Sequence, residues 1–89
     1  MAGYRLLIKP SAGKEIEALG QKKDRQRIVS RIAALAAEPR PLGCEKLAGA
    51  EGRYRIRQGQ FRIVYAVDDD TRTVEVVKVG HRGEVYRAV

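Results

Sequence analysis

The apolar residues in the first half of the chain recur at helical spacing. Between residues 22 and 37 they return every three or four positions, and Lys, Arg and Gln occupy the opposite side. A shorter segment follows Pro10, where Ser11 is the expected N-cap, and it ends at Gly20. The pattern predicts two helices joined by a glycine turn, an αα-hairpin whose apolar stripe needs a sheet to pack against.

The second half of the chain alternates apolar and polar residues, which is typical of β-strands. Together with a short apolar run near the N-terminus, this pattern predicts four strands, at residues 4–8, 53–57, 61–67 and 74–79. The segment from residue 40 to residue 52 is expected to be a surface connection. We therefore expect an α+β fold over residues 1–89, a single domain in which an N-terminal strand and an αα-hairpin pack with a mostly antiparallel four-stranded sheet.

The register of the predicted hairpin decides which side chains share a face. If Gln58 and Gly59 are the two turn residues, Arg55 lies opposite Arg62, and apolar and basic positions separate. A three-residue turn would instead mix charge into the core side, at the cost of burying unpaired charge. The side chains expected to face the helices are those of Tyr54, Ile56, Phe61, Ile63 and Tyr65. The opposite face then carries Arg53, Arg55, Arg57 and Arg62.

Charge is distributed unevenly along the chain. The 18 Lys and Arg against 11 Asp and Glu give a formal net charge of +7. Residues 53–67 hold four Arg and no acid, whereas Asp68, Asp69 and Asp70 follow directly. Basic residues can serve solubility alone, but this clustering favours a surface that binds phosphate. The acidic run is expected to be a solvated turn rather than a metal site.

The sequence predicts a cytoplasmic protein without a cofactor. Cys44 is the only cysteine, so it cannot form an internal disulfide, and it has no His or Cys at metal-ligand spacing. The apolar run near the N-terminus is shorter than the hydrophobic region of a signal peptide, and no stretch reaches membrane-spanning length.

The expected opposition of Arg55 and Arg62 suggests a chemistry. Like charges directly across a strand pair are destabilising, and an anion between two guanidinium groups would relieve the repulsion. Solvated arginine pairs are tolerated on exposed strands, so a purely structural interpretation is the alternative. Glycine-rich phosphate loops, an HExxH motif and clustered metal ligands are absent from the sequence. A metal-independent basic face suits cleavage of RNA by its own 2′-hydroxyl, because the nucleophile then belongs to the substrate.

Several segments resemble one protein family. The sequences YRIR at residues 54–57, GQFRIVY at residues 59–65 and VGHRGEVY at residues 79–86 are similar to the RelE branch of the RelE/ParE toxin superfamily, as is KLAG at residues 46–49. The resemblance implies a RelE-like microbial RNase fold and the toxin of a type II toxin-antitoxin system, a ribosome-dependent mRNA endonuclease that inhibits translation. The implied partners are a cognate antitoxin, the ribosome with its mRNA, and operator DNA reached through the antitoxin, with no membrane.

The resemblance also assigns catalytic roles, motif by motif, to Arg55, Arg57, Arg62, Arg82 and Tyr86. The hairpin arginines, with Arg53, are the expected RNA-binding residues and hold the scissile phosphate. Arg82 is expected to stabilise charge on the leaving oxygen, and Tyr86 to stack on or orient a base. Well-known members carry Lys at the positions of Arg55 and Arg57, and an arginine with a pKa above roughly 12 cannot accept a proton, so the identity of the general base is open.

His81 is the alternative general base, since its unperturbed pKa lies near neutrality. In an extended chain, however, His81 and Arg82 point to opposite faces, which makes it difficult for both to contact one phosphate. A role in packing or in bracing a loop is the competing interpretation.

Two other functions compete with RNA cleavage. A ParE-like inhibitor of DNA gyrase would need no RNA chemistry, and the retained arginines and tyrosines argue against it. A degenerate toxin or a basic operator-binding subunit would bind without catalysis.

Overall fold

The computed structural model describes residues 3–49 and 51–81. It contains two helices, α1 (Pro10–Glu17) and α2 (Lys22–Leu35). Its strands are β1 (Arg5–Ile8), β2 (Glu45–Lys46), β3 (Arg53–Gln58), β4 (Phe61–Asp68) and β5 (Thr73–His81). Within this part of the chain, neither helix has the length and apolar character needed to cross a membrane.

The strands form one mixed sheet in the order β1-β5-β4-β3-β2. β1 pairs with β5 in parallel, and the other neighbouring strands are antiparallel. The helices connect β1 to the far edge, and the three long strands then return as a meander. The predicted α+β architecture is confirmed. The sheet has five strands rather than four because Glu45 and Lys46, expected in a surface connection, pair with Arg55 and Tyr54 of β3.

The helices follow the predicted apolar pattern, but α1 begins differently from expectation. Pro10 is its first residue, where the missing N–H of proline costs no helical hydrogen bond, and Lys9 rather than Ser11 is the N-cap. α2 begins at the predicted residue and ends shortly before the predicted one. Its buried positions repeat at spacings of four and three, and they are Ile28, Ile32 and Leu35.

The turn between β3 and β4 lies one position further along the chain than predicted. Gly59 and Gln60 are the turn residues, and Gly59 has a φ of 63°, the left-handed value that a type II′ hairpin requires at its first turn position. The prediction had placed the glycine second. The resulting pairs include Gln58 with Phe61, Arg57 with Arg62, Ile56 with Ile63 and Arg55 with Val64.

The predicted opposition of Arg55 and Arg62 is therefore wrong, because Arg62 faces Arg57. The pairing has moved by two residues, and side chains alternate with a period of two, so every side chain keeps its predicted face. The separation of apolar and basic faces is confirmed.

A β-bulge in β5 explains why that strand is apolar at consecutive positions. Val64 pairs with Lys78, whereas the next residue of β4 pairs with Val76, so Val77 is the extra residue. In a regular strand Lys78 would share the core-facing side of Val76. With the bulge, Val79 takes that place and is 2% exposed, so the irregularity keeps a lysine out of the core.

The core lies between the helices and one face of the sheet. Ile56, Ile63 and Tyr65 are at most 1% exposed, and the half-buried Tyr54 stacks on Tyr65 with ring centroids 5.9 Å apart. Burial raises the pKa of Tyr65. Its hydroxyl donates to the Pro39 carbonyl at 2.7 Å, so the one polar atom of this ring is satisfied within the core.

The acidic run after β4 forms a turn, as predicted. Oδ1 of Asp68 accepts hydrogen bonds from the backbone N–H groups of Asp70 at 3.0 Å and Thr71 at 3.2 Å. Over residues 3–49 and 51–81, no group of three or more His, Cys, Asp or Glu side chains is placed to hold a metal ion.

A polar clasp, formed by Tyr4, Arg40, Tyr54 and Asp69, closes the end of the sheet away from the hairpin turn. Arg40 donates to both carboxylate oxygens of Asp69, at 3.2 and 2.8 Å, and the Tyr4 hydroxyl donates to the same carboxylate at 2.6 Å. Nε of Arg40 donates to the Tyr54 hydroxyl at 3.0 Å. The hydrogen bond from Arg40, followed by that from Tyr4, lowers the pKa of Asp69. The clasp joins the segment before β1 to the α2–β2 connection and the β4–β5 turn.

The clasp predicts an acid-sensitive contribution to stability. Because the pKa of Asp69 is lower in the folded protein, its contribution is present above the unfolded value of about 3.9 and is lost as the pH falls through the folded value. Asp69→Asn should lower the urea midpoint at neutral pH and match wild type at the lowest pH. Asp70→Asn, which removes a carboxylate without an ion pair to any described residue, is the control. A wild-type pH profile for Asp69→Asn would contradict the clasp.

Candidate nucleic-acid interface

The face of the sheet turned away from the helices carries the basic residues of the hairpin, and we refer to Arg53, Arg55, Arg57 and Arg62 as the arginine face. Three cross-strand rows cross it, starting from the turn. The first row holds Arg57, Arg62 and Gly80. The second row holds Glu45, Arg55, Val64 and Lys78. The third row holds Arg53, Ala66 and Glu75. The basic side chains are therefore concentrated in the two rows nearest the hairpin turn.

Arg57 and Arg62 lie directly opposite each other across β3 and β4. Cβ atoms in that relation are about 5 Å apart, and like charges there destabilise the sheet by up to about 1 kcal/mol. Neither guanidinium forms an ion pair with a described residue. Within the described part of the chain, Arg62 makes only a 3.4 Å hydrogen bond, to the carbonyl of its neighbour Phe61. A phosphate between the two groups would replace repulsion by attraction and would match their planar donor forks.

Arg55 has a carboxylate neighbour that the sequence did not predict. Its Nε donates to Oε1 of Glu45 at 3.0 Å, and its side chain is only 27% exposed. The hydrogen bond from Arg55, and then its charge, lower the pKa of Glu45, and the charge of Arg62 contributes to the same shift. Glu45 therefore orients Arg55 and lies in the field of the arginine face. A strand of two residues has no periodicity, so no sequence signal identified Glu45.

Lys78 adds a further cation to the second row and is also absent from the predicted site. It pairs with Glu15 of α1, whose other carboxylate oxygen accepts the backbone N–H of Val79 at 2.9 Å. The pairing of β1 with β5 ends at Val76, so this N–H lies on a part of the edge that no described strand covers. Glu15 therefore accepts a hydrogen bond from a strand-edge N–H group and also balances the charge of Lys78.

His81 lies on the helix side of the sheet, away from the arginine face. It is the cross-strand partner of Phe61, and the two ring centroids are 4.6 Å apart. This position fits the packing interpretation of His81. Arg82 and Tyr86, the other predicted catalytic residues, lie outside the described residues, so their roles stay predictions.

A groove of about 740 Å³ lies at the other end of the sheet. Five acidic residues contribute to its lining, namely Glu51, Asp68, Asp69, Asp70 and Glu75. Carboxylates repel phosphate, so this groove is a poor site for RNA. The separation of charge along the sheet follows the asymmetry that the sequence showed between residues 53–67 and 68–70.

Comparison with known proteins identifies the family. The family model described as "ParE toxin of type II toxin-antitoxin system, parDE" matches residues 6–86. The chain belongs to this family of type II toxins. Toxin RelE of Mycobacterium tuberculosis is 29% identical to it over 84 residues, which cover 94% of this chain and 87% of that protein.

Solved structures show that the toxin is of the RelE type. The isolated E. coli RelE toxin matches it with a TM-score of 0.76 and 31% identity, covering 96% of this chain and 93% of that chain. The archaeal RelE-RelB complex from Pyrococcus horikoshii matches with a TM-score of 0.80 and 28% identity, covering 93% of this chain and 98% of that chain. The predicted RelE-like α+β fold is thereby confirmed.

The opposition of Arg57 and Arg62 predicts an anion-dependent stability of the toxin. Arg57→Gln removes the like-charge pair, so without added anions it should raise the free energy of unfolding by about 0.5 kcal/mol. Inorganic phosphate should then raise the urea midpoint of wild type more than that of Arg57→Gln. The matched control is Arg53→Gln, which removes the same charge opposite Ala66. Equal stabilisation of all three proteins by phosphate would show that no anion binds between Arg57 and Arg62.

Proposed function

We propose that this RelE-type toxin cleaves translated mRNA on the ribosome and so inhibits translation, with the arginine face holding the message. The opposition of Arg57 and Arg62, neither of which forms an ion pair with a described residue, carries the proposal. Folding alone disfavours this arrangement, whereas the phosphodiester of an RNA strand stabilises it. The curated and solved relatives named as RelE toxins support the same activity.

In the proposed reaction the RNA supplies its own nucleophile. The 2′-hydroxyl oxygen attacks the adjacent phosphorus as its proton leaves, the bond from phosphorus to the 5′-oxygen breaks, and that oxygen takes up a proton. The products are a 2′,3′-cyclic phosphate and a 5′-hydroxyl end. The toxin contributes orientation of the phosphate and stabilisation of its extra negative charge, which need no cofactor or metal ion.

The hairpin arginines have distinct proposed roles. Arg57 on β3 and Arg62 on β4 both bind the scissile phosphate. Arg55, oriented by Glu45, binds the same or a neighbouring phosphate. Arg53 adds the last contact of the RNA-binding surface, because its row ends at Glu75 in the acidic groove. From the family motif we infer that Arg82 stabilises the leaving oxygen and that Tyr86 orients a base.

The general base is not one of these arginines, because a guanidinium keeps its proton at any physiological pH. We propose that charge stabilisation supplies most of the rate enhancement. His81 packs against Phe61 on the other side of the sheet, which favours a structural role over direct proton transfer.

We further propose a cognate antitoxin as the partner of the toxin, acting in the cytoplasm and linking it to operator DNA. The archaeal relative was solved as a complex of RelE with RelB. Here Val29 is 51% exposed in a shallow groove that Ile16 and Arg25 also line. An amphipathic helix with acidic residues would cover this apolar patch and complement the net positive charge.

Inhibition of DNA gyrase is the second candidate function, because the matching family model is described as a ParE toxin. The two activities separate in paired assays with the same purified toxin. We expect cleavage of a message in a reconstituted translation reaction, with cyclic phosphate ends, and an unchanged rate of DNA supercoiling. Inhibited supercoiling with an intact message would assign the toxin to the gyrase-directed class.

Substitutions on the arginine face test the proposed roles. Arg57→Gln and Arg62→Gln should each lower the rate of message cleavage by roughly a hundredfold, the scale for loss of one charge-stabilising donor. Arg5→Gln, on the exposed β1 strand at the opposite sheet edge, removes the same charge and should cleave at the wild-type rate. Equal losses in all three variants would point to net charge rather than to a phosphate site.

His81 gives a separate prediction. Replacement by Gln keeps a polar side chain but removes the imidazole, which is the proposed alternative acid-base group. We expect His81→Gln to cleave the message with the wild-type rate and pH dependence. A large loss of rate, with a folded protein by circular dichroism, would place His81 in the chemistry.

A further inference from the structure

One side of α2 carries a row of cations that the proposed reaction does not use. Lys23, Arg27 and Arg31 follow one another at intervals of four residues, so they lie on one side of the helix about 6 Å apart along its axis. The row has no ion pair with a described residue. Like charges at this spacing destabilise a helix, so folding alone does not account for the row.

The cations line a groove of about 560 Å³ beside β3. Neutral hydrogen-bonding side chains complete its polar lining, and these are Gln26, Ser30 and Gln58. Nε of Arg31 is buried and forms no hydrogen bond with any residue that the structure describes. A buried donor that no described residue satisfies can donate a hydrogen bond to an acceptor that enters the groove.

The groove adjoins the arginine face across the edge of β3. Gln58 lines the groove, and Arg57, the preceding residue of the same strand, points to the opposite face of the sheet. The described strand β2 covers this edge only at Tyr54 and Arg55. Over the described residues, the edge at Arg57 and Gln58 has no strand partner, so a ligand strand can pass from Arg57 around this edge into the groove.

We propose that the α2 groove is a second binding site for the sugar-phosphate backbone of RNA, continuous with the arginine face. The proposal rests on the proposed function, since it extends the RNA held there. Regular spacing of the cations suits a polymer with regularly spaced charges, and amide and hydroxyl groups are common ligands of phosphate and sugar. A short RNA fills the arginine face alone, whereas a longer one also occupies the α2 groove.

The test compares two RNAs made uncleavable by 2′-O-methylation, one of about 5 and one of about 20 nucleotides, by fluorescence anisotropy at several salt concentrations. Lys23→Gln with Arg27→Gln should weaken binding of the long RNA by about tenfold and lower the salt slope by about 1.4, the value for two lost phosphate contacts on a single strand. Binding of the short RNA should stay unchanged. Both substituted residues are exposed, so folding should be preserved.

The matched control is Lys9→Gln with Lys14→Gln, which removes two exposed lysines from α1 and its N-cap. Equal weakening by both double variants would assign the effect to net charge and overturn the α2 site. Unchanged binding of both RNAs by the α2 variant would also overturn it while leaving the arginine face intact. Failure of the wild type to bind either RNA would instead overturn RNA binding by the arginine face, on which the proposed function rests. If the α2 variant binds RNA normally but loses affinity for a polyglutamate peptide, the groove takes an acidic protein segment and not RNA.

Discussion

The alternation of side chains in the β3–β4 hairpin governs the rest of the molecule. One set of positions buries Ile56, Ile63 and Tyr65 beneath the helices, and the other set carries the basic residues. A shift of one residue would exchange the two sets and bury unpaired guanidinium groups. The hydrophobic burial that folds the sheet therefore also brings Arg57 and Arg62 together. The free energy gained from burying the core outweighs the repulsion between these two side chains.

In the part of the chain that the structure describes, the acidic residues neutralise particular cations and leave others without a carboxylate. Asp69 pairs with Arg40 in the clasp, Glu15 with Lys78, and Glu45 with Arg55. Among the described residues, Arg57 and Arg62 at the hairpin and the row on α2 receive no such carboxylate. Binding of a polyanion or an acidic partner to these cations favours the folded state by mass action, which links ligand binding to stability.

Much of this arrangement could be predicted from sequence because it depends on periodicity. The spacing of Ile28, Ile32 and Leu35 indicates which face of the helix is buried. The alternation around Ile56 separates the two faces of the sheet, and a shift of the strand pairing by two residues leaves this separation unchanged. Features set by single backbone conformations could not be predicted in this way. They include the position of Gly59 within the turn, the bulge at Val77 and the two-residue strand β2 with Glu45.

We propose that the row nearest the hairpin turn binds an RNA phosphate. Titration of isotopically labelled toxin with a dinucleotide lacking the 2′-hydroxyl, followed by NMR, tests this claim directly because no cleavage can occur. We predict that the largest changes in backbone amide shifts occur at Arg57, Arg62 and Gly80. Changes confined to the acidic end of the sheet around Asp69, or no changes at saturating dinucleotide, would contradict it.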